Sequence, residues 1–156
     1  MKKETREILA PPPLVYGGAF ALGMYLDSWL PLRLFPRSSR TFVGGILLGV
    51  GGAVGLLSLK AMRQANTSPA HSEPTTTLVV EGPYRLSRNP IYVGMTALYI
   101  GLSVLLNRIW PLALLPVVLK FINIGVIDQE EKVLEQQFGD EYRQYKESVP
   151  RWLPTR

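Results

Sequence analysis

The chain has 156 residues, 47% of them apolar and 19% charged, with a formal net charge of +5; that length fits one domain. It has no cysteine and one histidine, His71, which excludes disulfides, thiolate metal sites and a cysteine nucleophile and leaves no metal centre to expect. The basic balance does not indicate a nucleic-acid partner, because no basic stripe with interleaved aromatic residues appears.

Met1 to Glu7 is mixed in charge, and the apolar run after it lacks a small-residue cleavage site. It is therefore expected to be a first span and not a cleaved signal. That span covers Leu14 to Leu30, opened by Pro11-Pro12-Pro13 and interrupted only by Asp27. The second, Thr41 to Leu59, is an uncharged run of 19 residues, long enough to cross the hydrocarbon core. It is rich in glycine, and the spacing of Gly45 with Gly49 and of Gly51 with Gly55 suits close helix approach in lipid. Packing within the chain is the first expectation there, with a homodimer face as the alternative. Arg63 to Glu81 is polar and rich in Pro, Ser and Thr, so it reads as an extended loop with His71 exposed in it. Loops of that length often serve as lids.

Two more apolar stretches follow, Ile91 to Leu106 and Ile109 to Ile127, joined by little more than Asn107-Arg108. So short a connection forces the helices antiparallel. At about 1.5 Å per residue both run roughly 24–28 Å, so their far ends match in height. Arg88-Asn89-Pro90 and Glu130-Glu131 are thus expected to be neighbours at one membrane face, where opposite charges suit a zwitterionic ligand. Asn89 is expected as N-cap and Pro90 as the first helical residue. Gly94, Ala97 and Gly101 share a face and leave a groove for packing or for ligand access.

After Ile127 the chain turns hydrophilic, with Leu134, Phe138, Tyr142, Tyr145 and Val149 at helical spacing. Gly139-Asp140 divides this tail, glycine ending one helix and aspartate capping the next. A helix resting on the membrane surface is the simplest expectation for it. With four spans, the N-terminus, the loop before residue 89 and the tail share one side. That side holds Lys2, Lys3, Arg6, Lys60, Arg63, Arg85, Arg88, Lys132, Arg143, Lys146, Arg151 and Arg156, against Arg33, Arg37, Arg40 and Arg108 on the other. The excess puts both termini in the cytoplasm. The expected fold is all-α: one polytopic membrane domain, 1–156, with about four transmembrane helices and a C-terminal amphipathic tail.

Thr77-Leu78-Val79, Gly82-Pro83-Tyr84-Arg85 and Ser87-Arg88-Asn89-Pro90-Ile91-Tyr92-Val93-Gly94 occur in order. They are followed by Glu130-Glu131, Leu134, Phe138-Gly139-Asp140-Glu141-Tyr142, Tyr145 and Val149-Pro150-Arg151-Trp152. This series resembles the integral membrane methyltransferases, which include the isoprenylcysteine carboxyl methyltransferases and the phospholipid N-methyltransferases. It covers roughly the C-terminal half; the first two spans carry no such signature. The resemblance implies methyl transfer from S-adenosylmethionine to a lipophilic or membrane-embedded acceptor, with S-adenosylhomocysteine as product. No soluble Rossmann domain is then needed, and its Gly-rich loop is absent from the sequence.

On this resemblance the cofactor-binding residues are Tyr84, Leu86, Arg88, Asn89, Pro90, Tyr92, Gly94, Glu130 and Glu131. Arg88 suits the cofactor's carboxylate, Glu130 or Glu131 its ribose hydroxyls or ammonium, and the Tyr84 and Tyr92 rings its sulfonium. Backbone groups from Leu86 to Pro90 are left for adenine or the methionyl tail. Glu131 is the candidate base and Tyr92 the orienting residue. The carboxyl methyltransferase pattern has His where Asn89 stands. Phospholipid N-methyltransferases and many small bacterial relatives carry Asn-Pro there, which excludes proton shuttling by this side chain and leans the expected substrate away from prenylated cysteine; the expected location is a bacterial or archaeal plasma membrane. The alternative from another class is a small non-enzymatic membrane scaffold, which would not need Arg-Asn-Pro and two glutamates at one face.

Overall fold

Proline opens the first three α-helices of this chain, as befits a residue with no N–H to lose at the first turn. The computed structural model describes residues 10–33, 35–67 and 77–154. Helix α1 (Pro12–Trp29) has proline in its first turn, α2 (Arg37–Gln64) follows Pro36, and α3 (Pro90–Leu105) begins on Pro90. A 3₁₀ turn, Gly82–Arg85, precedes α3, and its first residue has φ +60°, a conformation that favours glycine. Helix α4 (Ile109–Ile122) runs through a π-turn (Asn123–Ile127) into α5 (Asp128–Phe138), and α6 (Asp140–Ser148) follows. The described residues contain no strand. His71, the middle of the loop expected to act as a lid, and the cations Lys2, Lys3, Arg6 and Arg156 lie outside the described residues.

Two helices are long and apolar enough to cross a membrane: α2, with 28 residues, and the 30-residue run Ile109–Phe138. Only 17% and 28% of their most apolar windows are buried within the chain. A soluble core helix hides such a surface; here Phe42, Leu56 and Val117 are each about 70% exposed. Apolar faces left uncovered in this way belong in lipid. Helix α3 is apolar but shorter, at 16 residues, and α1 has 18.

The helices pair as α2 with α3 and α1 with α4, while the two members of the α3–α4 hairpin touch each other less. Glycine explains the first pairing. A Cβ on Gly51 would come within 2.8 Å of the Gly94 carbonyl oxygen, and one on Gly44 within 2.9 Å of that of Gly101. These contacts run antiparallel and fill the groove expected along Gly94 and Gly101. They bear out one of the two expected pairs: a Cβ on Gly94 would meet the Gly51 carbonyl oxygen at 2.9 Å and the Gly55 nitrogen at 3.1 Å, whereas one on Gly45 or Gly49 would meet nothing within 4 Å. Gly23 lies against Pro111 and joins α1 to α4.

At the end of the bundle away from α5, Asp27 is buried and paired with Arg33 and Arg108. Asn107, at φ 55°, accepts the Phe35 N–H and donates to the Phe35 carbonyl. These contacts tie the α1–α2 connection to the α3–α4 turn, fixing both helix pairs at one end and leaving the site to form at the other.

The tail departs from expectation in two respects. Its periodic residues Tyr142, Tyr145 and Val149, with Leu134 and Phe138, cluster on Leu78, so the apolar face covers the protein's own loop. Gly139, at φ 52°, separates α5 from α6 as expected, but Asp140 is the first residue of α6 and not its cap. Its carboxylate is drawn to Arg143 one turn on, at 2.7 Å.

Candidate active site

The hairpin delivers what its short turn requires. The start of α3 and the end of the α4 run lie at one end of the bundle, and Arg88 Nη1 is 2.8 Å from Glu131 Oε1. Both side chains are under 10% exposed. Tyr92, one turn into α3, donates its phenol to Glu130 Oε1 at 3.0 Å. The adjacent glutamates therefore address different partners.

Between these elements lies a cavity of about 310 Å³, within the range of small-molecule sites. Of the expected residues, Tyr84, Arg88, Asn89, Pro90, Tyr92, Glu130 and Glu131 line it. Leu86 and Gly94 do not. The Leu86 side chain is 64% exposed, and Gly94 is used in the contact with α2. The rest of the wall is largely apolar, including Pro12 and Pro13 from α1, Leu59 and Met62 from α2, and Met95 from α3.

The turn before α3 is held differently from expectation. Asn89 occupies the N-cap position and Pro90 the first helical one, but the Asn89 side chain makes no capping bond. Its Nδ2 donates instead to the Arg151 carbonyl at 3.0 Å, and Ser87 Oγ donates to the same oxygen at 3.2 Å. Ser87 Oγ also accepts the Asn89 N–H, and the Arg88 N–H donates to the Pro150 carbonyl. The segment after α6 thus lies along the motif like a strap. Trp152 secures it further along by donating to Asn123 Oδ1 in the π-turn, a helix irregularity often found at functional sites.

Three contributors had no separate place in the sequence argument. Arg151 grips Glu131 through Nε to Oε1 at 3.1 Å and Nη2 to Oε2 at 2.6 Å, and its Nη1 reaches Asp128 at 2.9 Å. Tyr145 donates to the Tyr84 carbonyl at 2.7 Å, and the Tyr142 hydroxyl lies 3.4 Å from Arg88 Nη1. Helical periodicity marked both tyrosines as apolar-face residues; nothing marked Arg151 beyond its place in the resemblance. Burial, reinforced by the Glu130 charge, pushes the Tyr84 phenol well above its ordinary pKa. Burial does the same for Tyr145, and for Tyr142 with help from Glu131. At neutral pH all three are hydroxyl donors.

A guanidinium, two carboxylates and several phenols beside an apolar wall can bind a small charged molecule next to a lipid. A family model described as phospholipid methyltransferase matches residues 39–141. The chain belongs to that family.

This methyltransferase is also similar to a probable protein-S-isoprenylcysteine O-methyltransferase of Oryza sativa subsp. indica. The two are 31% identical over 154 residues, covering 94% of this chain and 78% of the relative. The protein-S-isoprenylcysteine O-methyltransferase of Homo sapiens is 36% identical over 142 residues, covering 83% and 49%. That of Schizosaccharomyces pombe is 34% identical over 103 residues, covering 63% and 44%. These relatives are eukaryotic and lend no support to the bacterial or archaeal membrane expected above. The family match includes Arg88, Glu130 and Glu131 but ends before Tyr142, Tyr145 and Arg151.

Proposed function

We propose that this methyltransferase uses S-adenosylmethionine as methyl donor and acts on a lipophilic acceptor at the cytoplasmic face of the membrane. The observation that carries the proposal is the meeting of Arg88 with the acidic pair in the wall of one cavity whose remaining wall is largely apolar.

The residues present fit the donor. Arg88 Nε is buried without a hydrogen-bond partner among the described residues, and a buried donor left unpaired costs about 1–3 kcal/mol. A ligand carboxylate would remove that cost. The charged residues of the wall are Arg88, Glu130 and Glu131, so the wall is net negative. The donor's ammonium and sulfonium outnumber its one carboxylate, so the charges complement each other. Arg88 would hold the carboxylate, Glu130 the ammonium or ribose hydroxyls, and Tyr84 and Tyr92 would turn aromatic faces to the sulfonium. When bound, S-adenosylmethionine supplies a methyl carbon on a sulfonium that leaves as a neutral thioether.

The chain's own contribution is positioning in a site shielded from water. Glu131, the expected base, has both oxygens engaged by guanidinium donors. This supports giving it the task of anchoring Arg88. Glu130 and Tyr92 are then left to face the acceptor, with Glu130 taking the proton if that acceptor is an amine. A carboxylate acceptor needs no base.

In this reading α1 and α3 cross the membrane beside α2 and α4, giving four spans, with both termini cytoplasmic and α5 and α6 forming a tail folded over the site. The lipophilic acceptor approaches along the apolar wall formed by Pro12, Leu59, Met62 and Met95. The chemistry printed for the family and its relatives leaves two acceptor classes, a phospholipid amine and an isoprenylcysteine carboxylate. Purified protein in nanodiscs, given methyl-tritiated S-adenosylmethionine with phosphatidylethanolamine or with a farnesylcysteine analogue, separates them. Label should enter one acceptor and fall at least tenfold in Glu130→Gln, as general base and positioning losses do. Donor binding without label in either acceptor contradicts the acceptor half of the proposal.

A further inference from the structure

Resting on the donor assignment above, we propose that Arg151 is a positioning residue for the donor pocket, acting on Arg88 through Glu131. A carboxylate beside an arginine often takes two parallel N–H donors from the guanidinium fork. Glu131 takes only one from Arg88, Nη1 at 2.8 Å. The reason is visible next to it. Arg151 engages both oxygens of Glu131, at 3.1 and 2.6 Å, and its remaining nitrogen is held by Asp128 at 2.9 Å.

Arg151 is itself fixed by the motif it serves. The carbonyls of Pro150 and Arg151 accept from Arg88, Ser87 and Asn89, so the strap and the turn before α3 are fastened together. The consequence falls on Arg88. Glu131 is held off in a single-point contact, and Arg88 Nε keeps its hydrogen unshared while the residue lines the cavity. Without Arg151, Glu131 is free to close on the Arg88 fork, where it competes with an incoming carboxylate. Arg151 thereby keeps the binding arginine available.

The test is calorimetric titration of the full-length, detergent-purified protein with S-adenosylhomocysteine, in a double-mutant cycle. Arg151→Ala should weaken binding about tenfold in the wild-type background. In Glu131→Gln the same substitution should change binding less than about twofold, because the competing carboxylate is gone. Trp152→Phe removes the strap's other anchor, the bond to Asn123, and should bind within about twofold of wild type. If Arg151→Ala does not fold, Arg151→Lys takes its place in the cycle. It retains the charge but lacks the planar fork, so weakened binding is again expected. Unchanged affinity on replacing Arg151, an equal loss in both backgrounds, or an equal loss in Trp152→Phe each overturns the assignment while leaving the donor proposal standing. No binding by folded wild-type protein overturns both.

Discussion

Glu130 and Glu131 show how much of a site is decided one side chain at a time. They are adjacent in sequence, yet one accepts from Tyr92 and the other is gripped by Arg88 and Arg151. Periodicity alone does not say which glutamate faces which partner, because a π-turn lies just before them. Such a turn adds a residue, and each residue rotates the following helix by about 100°. The tyrosines around them make a prediction about pH. Tyr84, Tyr142 and Tyr145 all have phenol pKa values raised by burial. Unfolding returns them to about 10, so their contribution to stability is fully present below that value. It declines as pH rises above it, because the unfolded chain ionises first. Thermal unfolding in detergent should therefore show a falling midpoint above about pH 10, with a shallower fall in Tyr145→Phe. At neutral pH that variant loses only the bond to the Tyr84 carbonyl, worth about 1 kcal/mol.

The helices themselves were legible in the sequence, and their pairing was not. Leu14 to Leu30, Thr41 to Leu59 and Ile91 to Leu106 correspond to α1, α2 and α3 because apolar runs bounded by proline or polar loops leave little choice. Ile109 to Ile127 was expected to end where hydrophobicity ends, but the helix continues to Phe138, since polar residues propagate a helix once it is nucleated. Which glycines meet a neighbour depends on helix rotation, and small-residue spacing fits more than one face of α2. The structure chooses the face that carries Gly44, Gly51 and Gly55. Gly51→Leu should accordingly lower stability by about 1–3 kcal/mol through overpacking against the Gly94 carbonyl. Gly49→Leu, where a Cβ meets nothing within 4 Å, should leave the thermal midpoint of the purified protein nearly unchanged. Equal effects would mean that α2 packs with another face.

At the scale of the whole molecule, the bundle is tied at one end by Asp27, Arg33, Arg108 and Asn107 and carries its cavity at the other. The meeting of Arg88 with Glu131 was legible because a short α3–α4 turn admits no other topology. The strap was not, because Val149 to Trp152 lies beyond the last helix and the bonds that lay it along the motif are accepted by its own backbone carbonyls. The four crossings proposed above would put Ser38 and Glu147 on opposite sides of the membrane. The chain has no cysteine, so Ser38→Cys and Glu147→Cys each introduce a single thiol. In intact cells a membrane-impermeant maleimide should label the first and spare the second until the cells are opened; labelling of both would refute the orientation. The central claim, that Arg88 and the acidic pair hold the methyl donor, is tested most directly by equilibrium binding of tritiated S-adenosylmethionine to purified wild-type protein and to Arg88→Ala. One site per chain is predicted for the wild type, with affinity at least tenfold weaker in the variant, as losing a charge-assisted bond requires. Equal binding by the two, or none by folded wild-type protein, would contradict it.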